Sequence, residues 1–299
     1  MLKKVAIFGV GLIGGSFALA LKKAGAVGHI AGVGRSASTM ARAKELGLID
    51  SIAASTADAL QGADLALIAA PVAQTEAILS AIEPHLESHT VVTDAGSTKS
   101  DVVAAARRVL GAKIAQFVPA HPIAGREQNG PDAALADLYV GKKVVVTALP
   151  ENSQDAVKCV MAAWNRCGAI IRELTPQDHD KVFAAVSHLP HLLAYALVDD
   201  VANKPHADLL FEYAASGFRD FTRIAGSSPE MWRDISLANQ PALLTELDSY
   251  IAQLSRLRER LAASDGIALE ALYSHAQQAR HGWISAIEAT ERRARDGGD

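Results

Sequence analysis

Short apolar runs, each about one strand long, punctuate the first 173 residues: Val5 to Phe8, His29 to Val33, Leu65 to Ala69, Thr90 to Thr93, Lys113 to Val118, Lys142 to Thr147 and Ala169 to Arg172. They alternate with segments of helical character. That alternation predicts βαβ units with right-handed crossovers and a mainly parallel sheet. After about Pro176 the pattern changes. Leu243, Leu244, Leu247, Ile251, Leu254, Leu257 and Leu261 keep three- and four-residue spacing through Gln240 to Ala263, and Ile267 to Arg295 reads as a terminal amphipathic helix. Glycine follows the same division, with 16 of the 22 at or before Gly168. The expected architecture is an α/β domain over residues 1–173 and an all-α domain over 174–299.

The first apolar run leads directly into Gly9-Val10-Gly11-Leu12-Ile13-Gly14. Three glycines at this spacing are weak evidence alone, but here they follow a strand and open a helix, Ile13 to Ala24. Gly9 permits the tight turn, Gly11 lets backbone approach a phosphate, and Gly14 lets helix and strand pack closely. With the amides of Leu12 and Ile13, they form a pyrophosphate site at a helix N-terminus. The first domain is thus expected to be a dinucleotide-binding Rossmann domain. An acid usually grips the ribose at the end of the second strand, but none occurs before Glu45. Arg35 and Ser36 stand there instead, which favours NADP, with NAD possible.

A charged content of 21% and hydrophobic content of 49% describe a chain able to build sizeable cores. A net charge of -4 argues against a nucleic-acid binder, which needs a basic face. The apolar blocks are too short and interrupted for a signal peptide or membrane span, so the expectation is a cytoplasmic protein acting on a small molecule. Cys159 and Cys167 match neither a redox nor a zinc spacing and read as buried small hydrophobes.

Further blocks follow the glycine motif in order. They are Asp94-Ala95-Gly96-Ser97-Thr98-Lys99, His121-Pro122-Ile123-Ala124-Gly125-Arg126-Glu127, Ser187-His188-Leu189-Pro190-His191, and Ser216 to Arg223. Together with Met231-Trp232-Arg233-Asp234, they resemble the prephenate/arogenate dehydrogenase family of tyrosine biosynthesis. The resemblance implies oxidative decarboxylation of prephenate to 4-hydroxyphenylpyruvate, or of arogenate to tyrosine, with reduction of a nicotinamide cofactor.

It also implies roles. His121 resembles the family's catalytic histidine, and its place after the Lys113 to Val118 strand suits a ligand site at strand ends. Ser97 resembles the serine that bonds this histidine or the substrate hydroxyl; otherwise it caps the helix beginning near Ser100. Arg223 matches an arginine that clamps a substrate carboxylate, unless it pairs with Asp220 or Glu230. His188 and His191 resemble the pair lining the substrate pocket, Glu127 sits in the His-Pro block, and Trp232 is expected to close the site from a partner subunit. The helical domain is expected to bind substrate and form a homodimer.

A metal held by His179, His188 and His191 with Asp178 and Asp180 competes weakly, since no cysteine or HExxH pattern supports it. The chain is expected to leave no room for a fused chorismate mutase or a tyrosine-sensing domain, and the effect of Arg126 on substrate choice stays open. Two other classes also stay open. A 3-hydroxyacid or 6-phosphogluconate type dehydrogenase would need a catalytic lysine, for which Lys181 is the candidate in that stretch. A non-catalytic NADP sensor would have no reason to keep His121, Ser97 and Arg223 together.

Overall fold

A computed structural model describes residues 1–126 and 128–295. The chain divides into two compact units, residues 1–242 and 243–299.

The first unit begins with β1 (Leu2–Phe8), α1 (Leu12–Lys23), β2 (Val27–Val33), α2 (Ala37–Glu45), β3 (Ser51–Ile52) and α3 (Thr56–Leu60). It continues with β4 (Leu65–Ile68), α4 (Thr75–Ile82), β5 (Val91–Asp94), α5 (Ser100–Leu110) and β6 (Phe117–Val118). These six strands form one parallel sheet in the order β3-β2-β1-β4-β5-β6. Successive side chains serve opposite faces. Val5 and Ile7 of β1, with Leu65 and Leu67 of β4, join one core, while Ala6, Phe8, Ala66 and Ile68 join the other.

A second sheet follows, built from β7 (Ala120–Pro122), β8 (Lys143–Val146) and β9 (Ile170–Glu173), with α6 (Gln154–Arg166) between the last two. β7 runs antiparallel to β8, and β8 parallel to β9. Trp164 of α6, fully buried, packs on Phe17 of α1 with centroids 4.6 Å apart and on Tyr139 at 5.1 Å. The Tyr139 hydroxyl donates to the Ile13 carbonyl at 2.6 Å, so the glycine-rich turn is braced from beneath. The two-residue β3 and the three-residue β7 lie outside the predicted strands, and Lys113 to Gln116 is a 3-10 turn rather than strand. Cys167 is buried, Cys159 only partly.

The sheet-to-helix change falls after Glu173. A continuous helical run comprises α7 (Pro176–Phe183), a π turn (Ala184–His188) and α8 (Leu189–Ala202). α9 (Ala207–Glu212), α10 (Ser216–Thr222) and α11 (Pro229–Ala238) follow. Contrary to the expectation of short apolar runs only, Pro176–Ala202 has the length and hydropathy of a membrane-spanning helix, because the π turn joins two apolar segments. Its buried polar residues, His179, Asp180 and His188, serve the site described next. The second unit holds most of α12 (Gln240–Ala262) and α13 (Gly266–Arg295), close to the predicted boundaries.

Candidate active site

Sheet order reverses between β1 and β4, and the glycine motif lies at that switch point. Gly9 has φ +99°, and a Cβ there would come within 2.5 Å of the Ala69 carbonyl oxygen. A Cβ on Gly14 would lie 2.1 Å from the Gly9 oxygen, so α1 can start this close to β1 only through glycine. Gly11, by contrast, faces open space, with nothing within 4 Å of a Cβ. It is the N-cap of α1 and supplies no side chain to the free amides of the first turn. A cavity of about 870 Å³ opens here, lined by Gly9 and Gly11 on one strand end and Arg35, Ser36 and Gln74 beyond. Uncapped helix amides facing a cavity kept clear by Gly11 fit a dinucleotide pyrophosphate.

Arg35 is exposed at the rim of this cavity, and no Asp or Glu lines it among the described residues. Ser36 has a structural task as well. Its Oγ accepts from the Thr39 amide at 3.2 Å and caps α2, an engagement its place beside Arg35 did not reveal.

The second half of the site lies at the end of β5. Asp94, the last residue of that strand, accepts from the Gly96 amide at 2.9 Å, from the Ala120 amide at 3.1 Å and from the Lys99 ammonium. The contact through Ala120 ties β5 to the residue preceding His121. His121 lies within β7, paired with Val145, rather than in the loop after a strand expected from sequence.

A hydrogen-bonded chain runs from His121 into the helical region. Its Nδ1 is 2.8 Å from His179 Nε2, and His179 Nδ1 is 2.8 Å from Asp180 Oδ1. Asp180 Oδ1 accepts from the Lys99 amide and Oδ2 from the Ser100 amide, each at 2.8 Å. Asp180 thus supplies the cap for α5 that no residue of the preceding turn provides. Phe183 covers both rings, with centroids 4.9 Å from His121 and 4.5 Å from His179. Asn239 closes the back of the cluster, its Nδ2 donating to the Asp180 carbonyl at 2.8 Å and to His188 Nδ1 at 3.0 Å.

Burial governs the charge states. It pushes His121 well below the usual imidazole range, helped by His179, Lys99 and His188 nearby. Burial lowers His179 too, against the opposing effect of Asp180. Burial would raise Asp180, but hydrogen bonds from His179, Ser100 and Lys99 outweigh it and hold the carboxyl low. His188 is pushed by burial down to about 4. The site therefore presents neutral imidazoles, which accept protons, beside an ionised carboxylate.

His191, Trp232 and Arg223 also come together. Trp232 stacks on His191 with centroids 3.5 Å apart and planes 18° apart. The His191 Nδ1 donates to the Ser187 carbonyl at 2.8 Å, while Arg223, exposed at a 3-10 turn, lowers the His191 pKa beyond the effect of burial. Trp232, expected from a partner subunit, thus lies against its own chain's His191. Ser97 is half-buried in the turn after β5 with its backbone near His188. Among the described residues its side chain makes no hydrogen bond to His121, where His179 stands instead, and it does not cap α5. Glu127 lies outside the described residues. From sequence His179 and Asp180 belong only to a weak metal set, and no local signal marks them as partners of His121, which lies 58 residues away from His179.

A glycine-cleared helix terminus at a parallel-sheet switch point, with a neutral histidine tied to the end of the same sheet, defines a nicotinamide-dependent dehydrogenase. Residues 17–173 match the prephenate dehydrogenase nucleotide-binding domain, and residues 175–275 match the prephenate dehydrogenase dimerization domain. The cyclohexadienyl dehydrogenase of Zymomonas mobilis is 37% identical over 280 residues, 93% of this chain and 95% of that protein. Among solved structures, the prephenate dehydrogenase of A. aeolicus in complex with hydroxyphenyl propionate and NAD+ superposes with a TM-score of 0.87 at 35% identity, covering 96% of this chain and 99% of that one. The arogenate dehydrogenase of Synechocystis superposes at 0.79 with 30% identity, covering 94% and 99%. The chain belongs to the prephenate dehydrogenase family.

Proposed function

We propose that this chain converts prephenate to 4-hydroxyphenylpyruvate in tyrosine biosynthesis, with NADP favoured over NAD as acceptor. The observation that carries the reading is His121, a neutral imidazole anchored through Ala120 to the last residue of β5. A bound nicotinamide would accept the hydride from the ring carbinol carbon. His121 takes the hydroxyl proton as that carbon is oxidised. Loss of the ring carboxylate as CO2 then delivers its electron pair to the ring, which becomes aromatic, and the phenolate oxygen recovers the proton from His121. Arg223 clamps a substrate carboxylate, His188 and His191 line the ring site with Trp232, and Ser97 faces the substrate.

The cofactor preference is supported by Arg35 at the cavity rim with no acid beside it. Arogenate, giving tyrosine directly, is the second reading. It is supported by likeness to the Synechocystis enzyme and by site histidines whose neutrality does not select a keto over an amino group. Residues 1–173 form the cofactor half, and 174–299 the substrate half that pairs two chains in a cytoplasmic homodimer.

The test is a direct assay of prephenate and arogenate with each cofactor, following absorbance of the reduced nicotinamide. Turnover of prephenate that falls a hundredfold or more in His121→Ala supports the reading. No cofactor reduction with either substrate overturns it.

A further inference from the structure

Three polar side chains stand in line from the centre of the site to the N-terminus of α5: His121, His179 and Asp180, linked by two contacts of 2.8 Å. The first is partly exposed, whereas His179 is fully buried and Asp180 nearly so, at 5% exposure. Such a line has a direction, because a hydrogen bond between two neutral imidazoles requires one ring to donate and the other to accept.

That direction follows from its far end. Asp180 already accepts two backbone amides, and its carboxyl is held low, so it can only accept from His179. The proton of His179 therefore sits on Nδ1. Burial keeps this ring neutral, which leaves Nε2 bare and able only to accept. His121 must then carry its own proton on Nδ1 and keep a lone pair on Nε2. We infer that His179 and Asp180 are positioning residues that set the tautomer and ring plane of His121, so that Nε2 is the atom that receives the substrate hydroxyl proton.

This inference rests on the reading of His121 as the base and adds what orients it. As the substrate O–H bond breaks and the Nε2–H bond forms, His121 becomes an imidazolium whose Nδ1–H still donates to His179. Asp180, at the positive end of α5, stabilises that charge from two bonds away. The proton never leaves His121 until the phenolate oxygen takes it back. Asn239 holds the pair in place through the Asp180 carbonyl, and Phe183 restricts both rings. Sequence could not show this, because His121 and His179 are 58 residues apart and meet only where β7 and α7 are brought together.

The experiment is nitrogen NMR of the histidine-labelled, substrate-free protein, combined with kinetics of His179→Leu, His179→Gln and His121→Ala. In the unsubstituted protein His121 is expected as the Nδ1–H tautomer. His179→Leu is expected to lose that single tautomer and to lower kcat ten- to a hundredfold with little change in KM. It is also expected to move the acid limb of the kcat/KM profile downward, since the His121 imidazolium loses the neutral acceptor of its Nδ1–H. His179→Gln, whose carbonyl can still accept from Nδ1–H, is expected to recover part of the rate.

An Nε2–H tautomer in the unsubstituted protein overturns the inference, even should the leucine variant fail to fold. So does an unchanged kcat and pH profile in His179→Leu. If His121→Ala retains turnover, the reading of His121 as base fails; if it loses turnover while His179→Leu does not, the positioning role alone fails.

Discussion

Lys99 reaches back five residues to pair its ammonium with the carboxylate of Asp94, and the two side chains are 0% and 1% exposed. The remaining lone pairs of Asp94 take the amides of Gly96 and Ala120, so the charge is fully partnered. Removing one member leaves the other buried and uncompensated. We expect Lys99→Met to cost about 3–5 kcal/mol, seen as a lower urea midpoint with an unchanged slope. A midpoint within error of the parent would show that the pair contributes nothing to stability.

Gly11, the N-cap of α1, and Gly14 in its first turn lie three positions apart, yet their substitution by alanine separates folding from binding. Alanine at 14 would place its methyl against a backbone oxygen 2.1 Å away, which cannot retreat without moving β1. We expect Gly14→Ala to lose about 3 kcal/mol or to misfold. Gly11→Ala has open space and an ordinary φ of -103°, so its stability should stay within about 1 kcal/mol of the parent. Its methyl would occupy the approach to the helix amides, and cofactor titration is expected to show at least tenfold weaker binding. Equal affinities would move the pyrophosphate elsewhere.

For Arg35, exposed at the cavity rim, the expected effect is selective. A guanidinium paired with a 2′-phosphate is worth on the order of 1.5–3 kcal/mol, so Arg35→Ala should weaken NADP by about ten- to a hundredfold and leave NAD nearly unchanged. Ser36 is a poorer choice for this test, because its hydroxyl caps α2 and its loss would also loosen the helix. Michaelis constants for both cofactors decide the matter; equal weakening of the two would mean that Arg35 serves the adenine instead.

His188 gives the fold a pH dependence. The folded protein keeps this ring neutral down to about 4 because it is buried, whereas the unfolded chain takes a proton near 6.5. Stability is therefore complete above about pH 6.5 and declines as the pH falls toward 4. One such group accounts for about 2 kcal/mol between pH 7 and pH 5. His121, His179 and His191 act in the same direction. Urea unfolding at the two pH values should show the loss, and His188→Gln should reduce it by roughly that one group's share. An undiminished loss in the variant would assign the effect to the other histidines.

Sequence alone determined the features that local chemistry dictates. The alternation of strand and helix to residue 173, the glycine turn and the long helices of the second half follow from side-chain period and backbone freedom, which act over a few residues. His121, Arg223 and the His188 and His191 pair could be named because they sit in short, ordered blocks. Tertiary structure decided the rest. β3 and β7 carry too few residues to show a period and are strands only because a neighbour's backbone pairs with them. The His179 and Asp180 contacts cross from one segment to another, so nothing in the local pattern distinguished them from a solvated first turn. The protonation of the cluster is equally a tertiary property. A histidine's charge depends on how much water the fold leaves around it and on which groups face it, and neither is encoded within a few residues of the ring.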